Sequence, residues 1–205
     1  ANRIMQQMKV DLRLSNEPRH IECFDNSNLQ GEHPVSACVV FKDGKSSKRE
    51  YRHFNVKTVV GADDYATMAE VITRRYTRLK EEGVGLPQLI VIDGGKGQLS
   101  ASVKALEDLG LRGVIAIIGI AKRLEEIYFP GDSVPLYLDK RSETLKVIQQ
   151  ARNEAHRFSI THHRKQRSKA GIKSQLEVIP GIGPQAVKAL LNTFKSLKGV
   201  KKASR

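Results

Sequence analysis

Two apolar runs that each end in an aspartate constrain this chain more than any other feature: IECFD, which reaches Asp25, and LPQLIVID, which reaches Asp93. The second run is unbroken from Leu89 to Ile92, as expected of a strand covered on both faces by helices. A carboxylate placed directly after such a run is costly unless it is paired or bound to a cation. Open α/β sheets also put their sites at the carboxyl edge of their strands. If the two strands are neighbours, Asp25 and Asp93 stand side by side, and paired hard oxygen donors suit Mg²⁺ or Mn²⁺. Each aspartate alone reads equally well as a structural cap; only the pair favours a metal site.

The loop after Asp93, GGKGQ, resembles a phosphate cradle but fits neither nucleotide pattern. Lys96 follows Gly94-Gly95 at once, with Gly97-Gln98 where a Ser or Thr would have to coordinate magnesium. Gly94, Gly95 and Gly97 also miss the dinucleotide spacing. The loop therefore reads as a strand tip presenting Asp93, with Lys96 and Gln98 as candidate phosphate contacts.

The patterning predicts a mixed α/β sheet flanked by helices, followed by a small all-α unit. Residues 1–18 read as a helical linker remnant ending at Pro18. A strand through Asp25 follows, and then two runs of strand formers around Asp43-Gly44, a strong hairpin signal. DDYATMAEVITRRYTRLKEEG switches to helical spacing, with acids at its start and Gly83 at its end. Strand–helix–strand alternation comes next, then an extended pair in EEIYFPGDSVPLYL and a helix from about Ser142 to His163. The domain boundaries expected are 19–172 and 173–205, with the basic stretch Arg164 to Ser174 as a linker. In the second unit, LEVIPGIGPQAVKALL reads as helix, PGIGP turn and helix, with Gly181 and Gly183 letting backbone amides approach a phosphate.

Thirty-five Lys and Arg against 22 Asp and Glu give a net charge of +13, which favours a polyanionic partner. Clustering in HHRKQRSKAGIK and KSLKGVKKASR strengthens that reading. Candidate backbone contacts are Arg74, Arg75, Arg157, Arg164, Lys165, Arg167 and Lys188, in addition to Lys96 and Gln98. Cys23 and Cys38 match no zinc or redox spacing and read as buried thiols. No stretch has the length or apolarity of a membrane span and the N-terminal residues lack a signal-peptide core, so a cytoplasmic protein with no membrane partner is expected.

Two further candidate site residues, His156 and Asp64, each admit two readings from the pattern. At about 100° per residue, His156 falls near Leu145 and Ile148 and is expected to face the sheet, where a lone histidine is more often a core residue than a functional one. Asp64, at the start of its helix, is either a cap or an additional acid, and the cap reading is slightly favoured.

Taken in order and spacing, IECFDNSNLQG, DDYATMAEVITRRY, LIVIDGGKGQL, ARNEAHRFSITHHRKQRSK and LEVIPGIGPQAVKALL resemble the C-terminal half of the UvrC family, the endonuclease subunit of bacterial nucleotide excision repair. The resemblance covers nearly the whole chain from His20 on. It implies an RNase H-like nuclease domain followed by a helix-hairpin-helix DNA-binding domain, and incision of damaged double-stranded DNA on the 5′ side of a lesion. It carries the family's catalytic set onto Asp25, Asp93 and His156, with Asp64 as the additional acid. It implies Mg²⁺ or Mn²⁺ as cofactor, with Asp25, Asp93 and His156 as metal ligands, and UvrB and the UvrA–UvrB system as partners. The family's FDISH segment reads FDNSN here, so Asn28 replaces its histidine. The family's GIY-YIG nuclease and UvrB-docking segment are expected to lie outside this sequence, which ends where a second hairpin should begin.

The implied chemistry is metal-assisted phosphodiester hydrolysis, with His156 either ligating the metal or handling a proton. Two other classes compete: a non-catalytic DNA-binding or partner-docking module, and a general RNA–DNA hybrid nuclease. The intact carboxylate pair speaks against the first and the hairpin-bearing tail against the second.

Overall fold

A computed structural model describes residues 1–27, 34–59, 61–121, 126–194 and 197–203. The chain divides into two compact units, Ala1–Ser159 and Ile160–Arg205.

The first unit is built on a sheet of eight described strands. These are β1 (His20–Ser27), β2 (Val35–Lys42), β3 (Lys45–Ser46), β4 (Arg52–Asn55), β5 (Leu89–Asp93), β6 (Ala116–Ile120), β7 (Glu126–Tyr128) and β8 (Leu136–Tyr137). Their order is β3-β2-β1-β5-β6-β7-β8, with β4 also paired to β2. The centre is parallel, β1 with β5 and β5 with β6, and the flanks are antiparallel. The Asp43-Gly44 hairpin forms as expected, both residues adopting positive φ (51° and 78°), the backbone an Asp-Gly turn needs.

The parallel centre requires crossovers, and the helices α2 (Asp64–Glu82) and α3 (Lys96–Asp108) fall in them. Asp63 caps α2 by accepting from the Ala66 amide at 3.0 Å, and Gly83 ends it in the left-handed region. The capping residue is thus Asp63, not Asp64. Met68, Val71, Ile72 and Tyr76 of α2 join Leu99 and Leu106 of α3 against Phe24, Ile90 and Ile92 of the sheet. The other face carries α1 (Asn2–Asp11) and the first part of α4 (Glu143–Glu177), packed on Ile21, Cys23, Leu89 and Val91.

Two sequence expectations are corrected here. Residues 1–18 are not a linker: Met5, Met8 and Leu12 are fully buried in this second core layer. Their i, i+3, i+7 spacing is that of a helix with one apolar stripe. Residues 164–174 are not a linker either, because α4 runs on through them to Glu177. Arg, Lys, Gln and Ala are good helix formers, and the stretch has one glycine and no proline to stop them. The boundary between compact units accordingly falls at Ser159 rather than near residue 172.

In the second unit, α4 ends at Glu177 and is followed by α5 (Pro184–Phe194) and α6 (Leu197–Ala203). The turn before α5 is tied by Ile179 N–H to Leu176 O and Ile182 N–H to Ile179 O, and Pro184 opens the helix with Val187 N–H bonded to Gly183 O. Cys23 and Cys38 are free buried thiols. Among the described residues, no helix is long and apolar enough to cross a membrane.

Candidate active site

The parallel register of β1 and β5 sets Asp25 opposite Asp93. Alternation decides which face they use: Cys23 and Val91 belong to the layer under α1 and α4, and each aspartate follows two residues later. The pair therefore rises from the edge of the sheet toward α4. That helix answers with two side chains four residues apart, and so on one flank. His156 Nδ1 lies 3.3 Å from Asp25 Oδ2, and Arg152 Nε donates to Asp93 Oδ1 at 3.3 Å. Asp25, Asp93 and Arg152 line a cleft of ≈ 730 Å³ together with Gln98, Ala121 and Glu126, and His156 stands at its rim.

The electrostatics are those of a site short of positive charge. Burial first, and the neighbouring charge of Asp93 second, push the Asp25 carboxyl up to about 6, against the opposing pull of His156 and Arg152. Burial pushes Asp93 up as well, held back by Arg152 and then His156. In addition, the side-chain oxygen Oε1 of Gln98 is buried with no hydrogen-bond partner among the described residues. Two in-register carboxylates and an unsatisfied oxygen in one cleft are a donor set that fits a hard divalent cation.

The expected residues fare unequally. Asp25, Asp93 and Gln98 meet in the cleft. His156 reaches Asp25 but its side chain is 67% exposed, at the rim rather than turned to the sheet as expected. Among the described residues, no three His, Cys, Asp or Glu side chains converge tightly enough to hold a metal ion. The three-ligand set of Asp25, Asp93 and His156 is thus not gathered: His156 stays at the rim, and the guanidinium of Arg152 occupies one Asp93 oxygen. Asp64 is exposed, does not line the cleft, and accepts a hydrogen bond from Asn26 Nδ2 through its backbone carbonyl. Asn28 lies outside the described residues.

Arg75, expected among the backbone contacts, is turned inward. It is 12% exposed and forks onto the fully buried Glu22, Nε to Oε1 at 3.1 Å and Nη2 to Oε2 at 2.7 Å. An Arg on the inner flank of an amphipathic helix has an apolar stem to bury and a fork to satisfy, and β1 offers a carboxylate there. Lys96 donates to Ser133 O at 2.9 Å and sits over the Tyr128 ring, outside the cleft lining. Arg74 bonds Asn55 O and Glu70, and Arg157 forks onto Glu154, both part-exposed. Arg164, Lys165, Arg167, Gly181, Gly183 and Lys188 are exposed in the second unit.

Two cleft residues escaped the sequence reading. Arg152 had a signal: it stands one helical turn before His156 on the same flank. Glu126, whose carboxylate accepts from Tyr128 Oη and Tyr137 Oη at 3.2 Å each, had none, since its place depends on how β7 returns beside β6.

A mixed sheet with carboxylates ending two central parallel strands and a helix closing over them is an RNase H-like α/β domain. Residues 9–160 match the family model described as the UvrC RNAse H endonuclease domain. The chain belongs to the UvrC family. It is 68% identical over 204 residues to the UvrABC system protein C of Flavobacterium johnsoniae, covering 100% of this chain and 34% of the relative. The corresponding protein of Porphyromonas gingivalis is 60% identical over 203 residues, covering 99% and 34%. The chain thus spans about a third of the length of the curated relatives it matches. Among solved structures, it is similar to human ENDOV (TM-score 0.43, 15% identity, 81% of this chain and 98% of that one). A Ciona intestinalis endonuclease V in complex with an inosine-containing 24mer DNA gives a TM-score of 0.39 at 20% identity, covering 75% and 65%.

Proposed function

We propose that this chain is the part of an excision-repair endonuclease that hydrolyses a DNA phosphodiester on the 5′ side of a lesion, using Mg²⁺ or Mn²⁺. The observation that supports this most is the in-register pair Asp25 and Asp93, raised toward protonation in a cleft that also holds an unsatisfied oxygen. Asp25 and Asp93 would hold the cation. When bound, it would activate water and offset charge developing on the phosphate.

The chain's own groups supply the rest. With Nδ1 of His156 directed at Asp25, its hydrogen bond favours the tautomer in which Nε2 is free to accept a proton on the exposed side. That assigns His156 to proton handling rather than metal ligation. Arg152, released from Asp93 when the cation binds, is placed to meet a phosphate oxygen. Asp64 is left a supporting acid at the start of α2. Arg74, Arg157, Arg164, Lys165 and Arg167 are sequence-independent backbone contacts, and so is Lys96 once it leaves Ser133. Residues 173–205 act as a helix-hairpin-helix grip through the amides at Gly181 and Gly183 and through Lys188. Damaged duplex would be delivered by UvrA and UvrB, in the cytoplasm.

The test is cleavage of supercoiled, nicked and bubble-containing DNA with Mn²⁺ or Mg²⁺. The parent is expected to cut, and Asp25→Ala, Asp93→Ala and His156→Ala to bind DNA but cut at least about 10³-fold more slowly. Equal cutting by parent and variants would mean that the site is elsewhere. Binding without metal-dependent cutting, even when the chain is joined to its full-length protein, would make it a docking module.

A further inference from the structure

We infer that the carboxamide oxygen of Gln98 is a third protein oxygen donor toward the divalent cation of the Asp25–Asp93 site. The inference rests on the reading that this pair holds a cation.

Gln98 lies in the first turn of α3 and lines the cleft with both aspartates. Its Oε1 is shielded from solvent and has no hydrogen-bond partner among the described residues. A buried carbonyl oxygen without a partner is rare in native structures because it forfeits its hydration. The cost is recovered if a cation takes the place of the missing donor, and amide carbonyls are ordinary oxygen ligands for hard divalent ions. Glu126, the other acid lining the cleft, has its carboxylate oxygens taken by the Tyr128 and Tyr137 hydroxyls, and no cluster of three acidic or imidazole groups tight enough for a metal is present among the described residues. A neutral oxygen adds a ligand without adding a third negative charge beside Asp25 and Asp93, which stand in register on neighbouring strands.

The loop is shaped to hold this oxygen. A Cβ on Gly94 would lie 2.5 Å from Gln98 Cδ and closer still to Oε1. Glycine at 94 is therefore what lets the carboxamide lie across the strand tip beside Asp93. At Gly95, one residue on, an added Cβ meets nothing within 4 Å. The contrast yields a matched pair of variants in one loop. An alanine at 94 displaces the flexible end of Gln98 and leaves the backbone fold in place, while an alanine at 95 leaves Gln98 where it is.

The experiment is Mn²⁺ titration of the DNA-free chain by calorimetry and by electron paramagnetic resonance. The set comprises the parent, Gln98→Leu, Gln98→Glu, Gly94→Ala, Gly95→Ala and Asp93→Asn. Gln98→Leu and Gly94→Ala are expected to weaken Mn²⁺ about 5- to 50-fold. Gln98→Glu, which keeps an oxygen, is expected to hold or tighten affinity, and Gly95→Ala to stay within about twofold of the parent. Asp93→Asn is expected to lose the site. If Asp93→Asn abolishes binding but Gln98→Leu and Gly94→Ala bind like the parent, the role of Gln98 is refuted and the carboxylate site survives. If the parent takes up no Mn²⁺, or Asp93→Asn binds it equally well, the carboxylate site itself is refuted, and Gln98 with it.

Discussion

Strand β1 carries two buried carboxylates three residues apart, and they live in opposite circumstances. Glu22 points to the α2 face, fully buried, and every oxygen is used. Arg75 forks onto it, Tyr76 Oη donates at 2.8 Å, and His20 Nε2 sits at 2.9 Å. Burial alone would push this carboxyl up, but the hydrogen bonds and charges of His20 and Arg75 overturn that and take it down to about 2. Asp25 points to the α4 face beside Asp93, with one imidazole at 3.3 Å, and rises to about 6. Glu22 is complete within the protein and holds α2 to the sheet. Asp25 and Asp93 leave a deficit of positive charge, which is what a site for an external cation needs.

Breaking the complete cluster should have the largest effect on folding. Arg75→Met strands the buried Glu22 charge and is expected to cost about 3–5 kcal/mol in chemical denaturation. Its DNA affinity, measured where the variant is folded, should match the parent's. A specific loss of DNA binding at unchanged stability would return Arg75 to the contact surface.

The incomplete pair should respond with the opposite sign. Asp25 holds its proton to higher pH when folded than when unfolded, so its contribution is most favourable at low pH and is lost as pH rises from about 4 through 6. For Glu22 the folded carboxyl is the stronger acid, so its stabilisation is present above the ordinary carboxylate range and lost as pH falls toward 2. Asp25→Asn is accordingly expected to stabilise the metal-free protein at pH 7.5, by about 1–3 kcal/mol. At pH 4 the gain should shrink toward zero. A destabilised Asp25→Asn at pH 7.5 would mean the carboxylate pair is satisfied already. A smaller effect is expected from Mg²⁺ itself. It should raise the parent's melting temperature by a few degrees at pH 7.5 and progressively less below pH 6, as protons compete for Asp25.

The same contrast explains what the sequence disclosed. Asp25 and Asp93 were legible because an acid at the end of an apolar strand is conspicuous in one dimension, and adjacency needed only the parallel pairing of their strands. The sheet and its flanking helices followed from period and turn chemistry. The pairing of Arg75 with Glu22 was not legible because a cation on a helix looks the same whether it meets a phosphate or a glutamate 53 residues earlier. His156 was placed on the correct flank of α4, but helical phase does not say whether that flank reaches past the edge of the sheet into solvent. Met5, Met8 and Leu12 were passed over because a 10-residue helix with one narrow apolar stripe resembles a linker until the layer it covers is known. Gln98 was read as a phosphate contact, and only the glycine against which it packs shows its oxygen held inside the cleft.

The most direct measurement is a ¹³C NMR titration of the carboxyl groups, with and without Mg²⁺. Asp25 is expected to titrate near pH 6 in the metal-free protein and to move well below that when Mg²⁺ is added, while Glu22 stays ionised down to strongly acidic pH in both. An Asp25 carboxyl that titrates in the ordinary carboxylate range, or one near 6 that Mg²⁺ does not move, would contradict the assignment of this pair as the cation site.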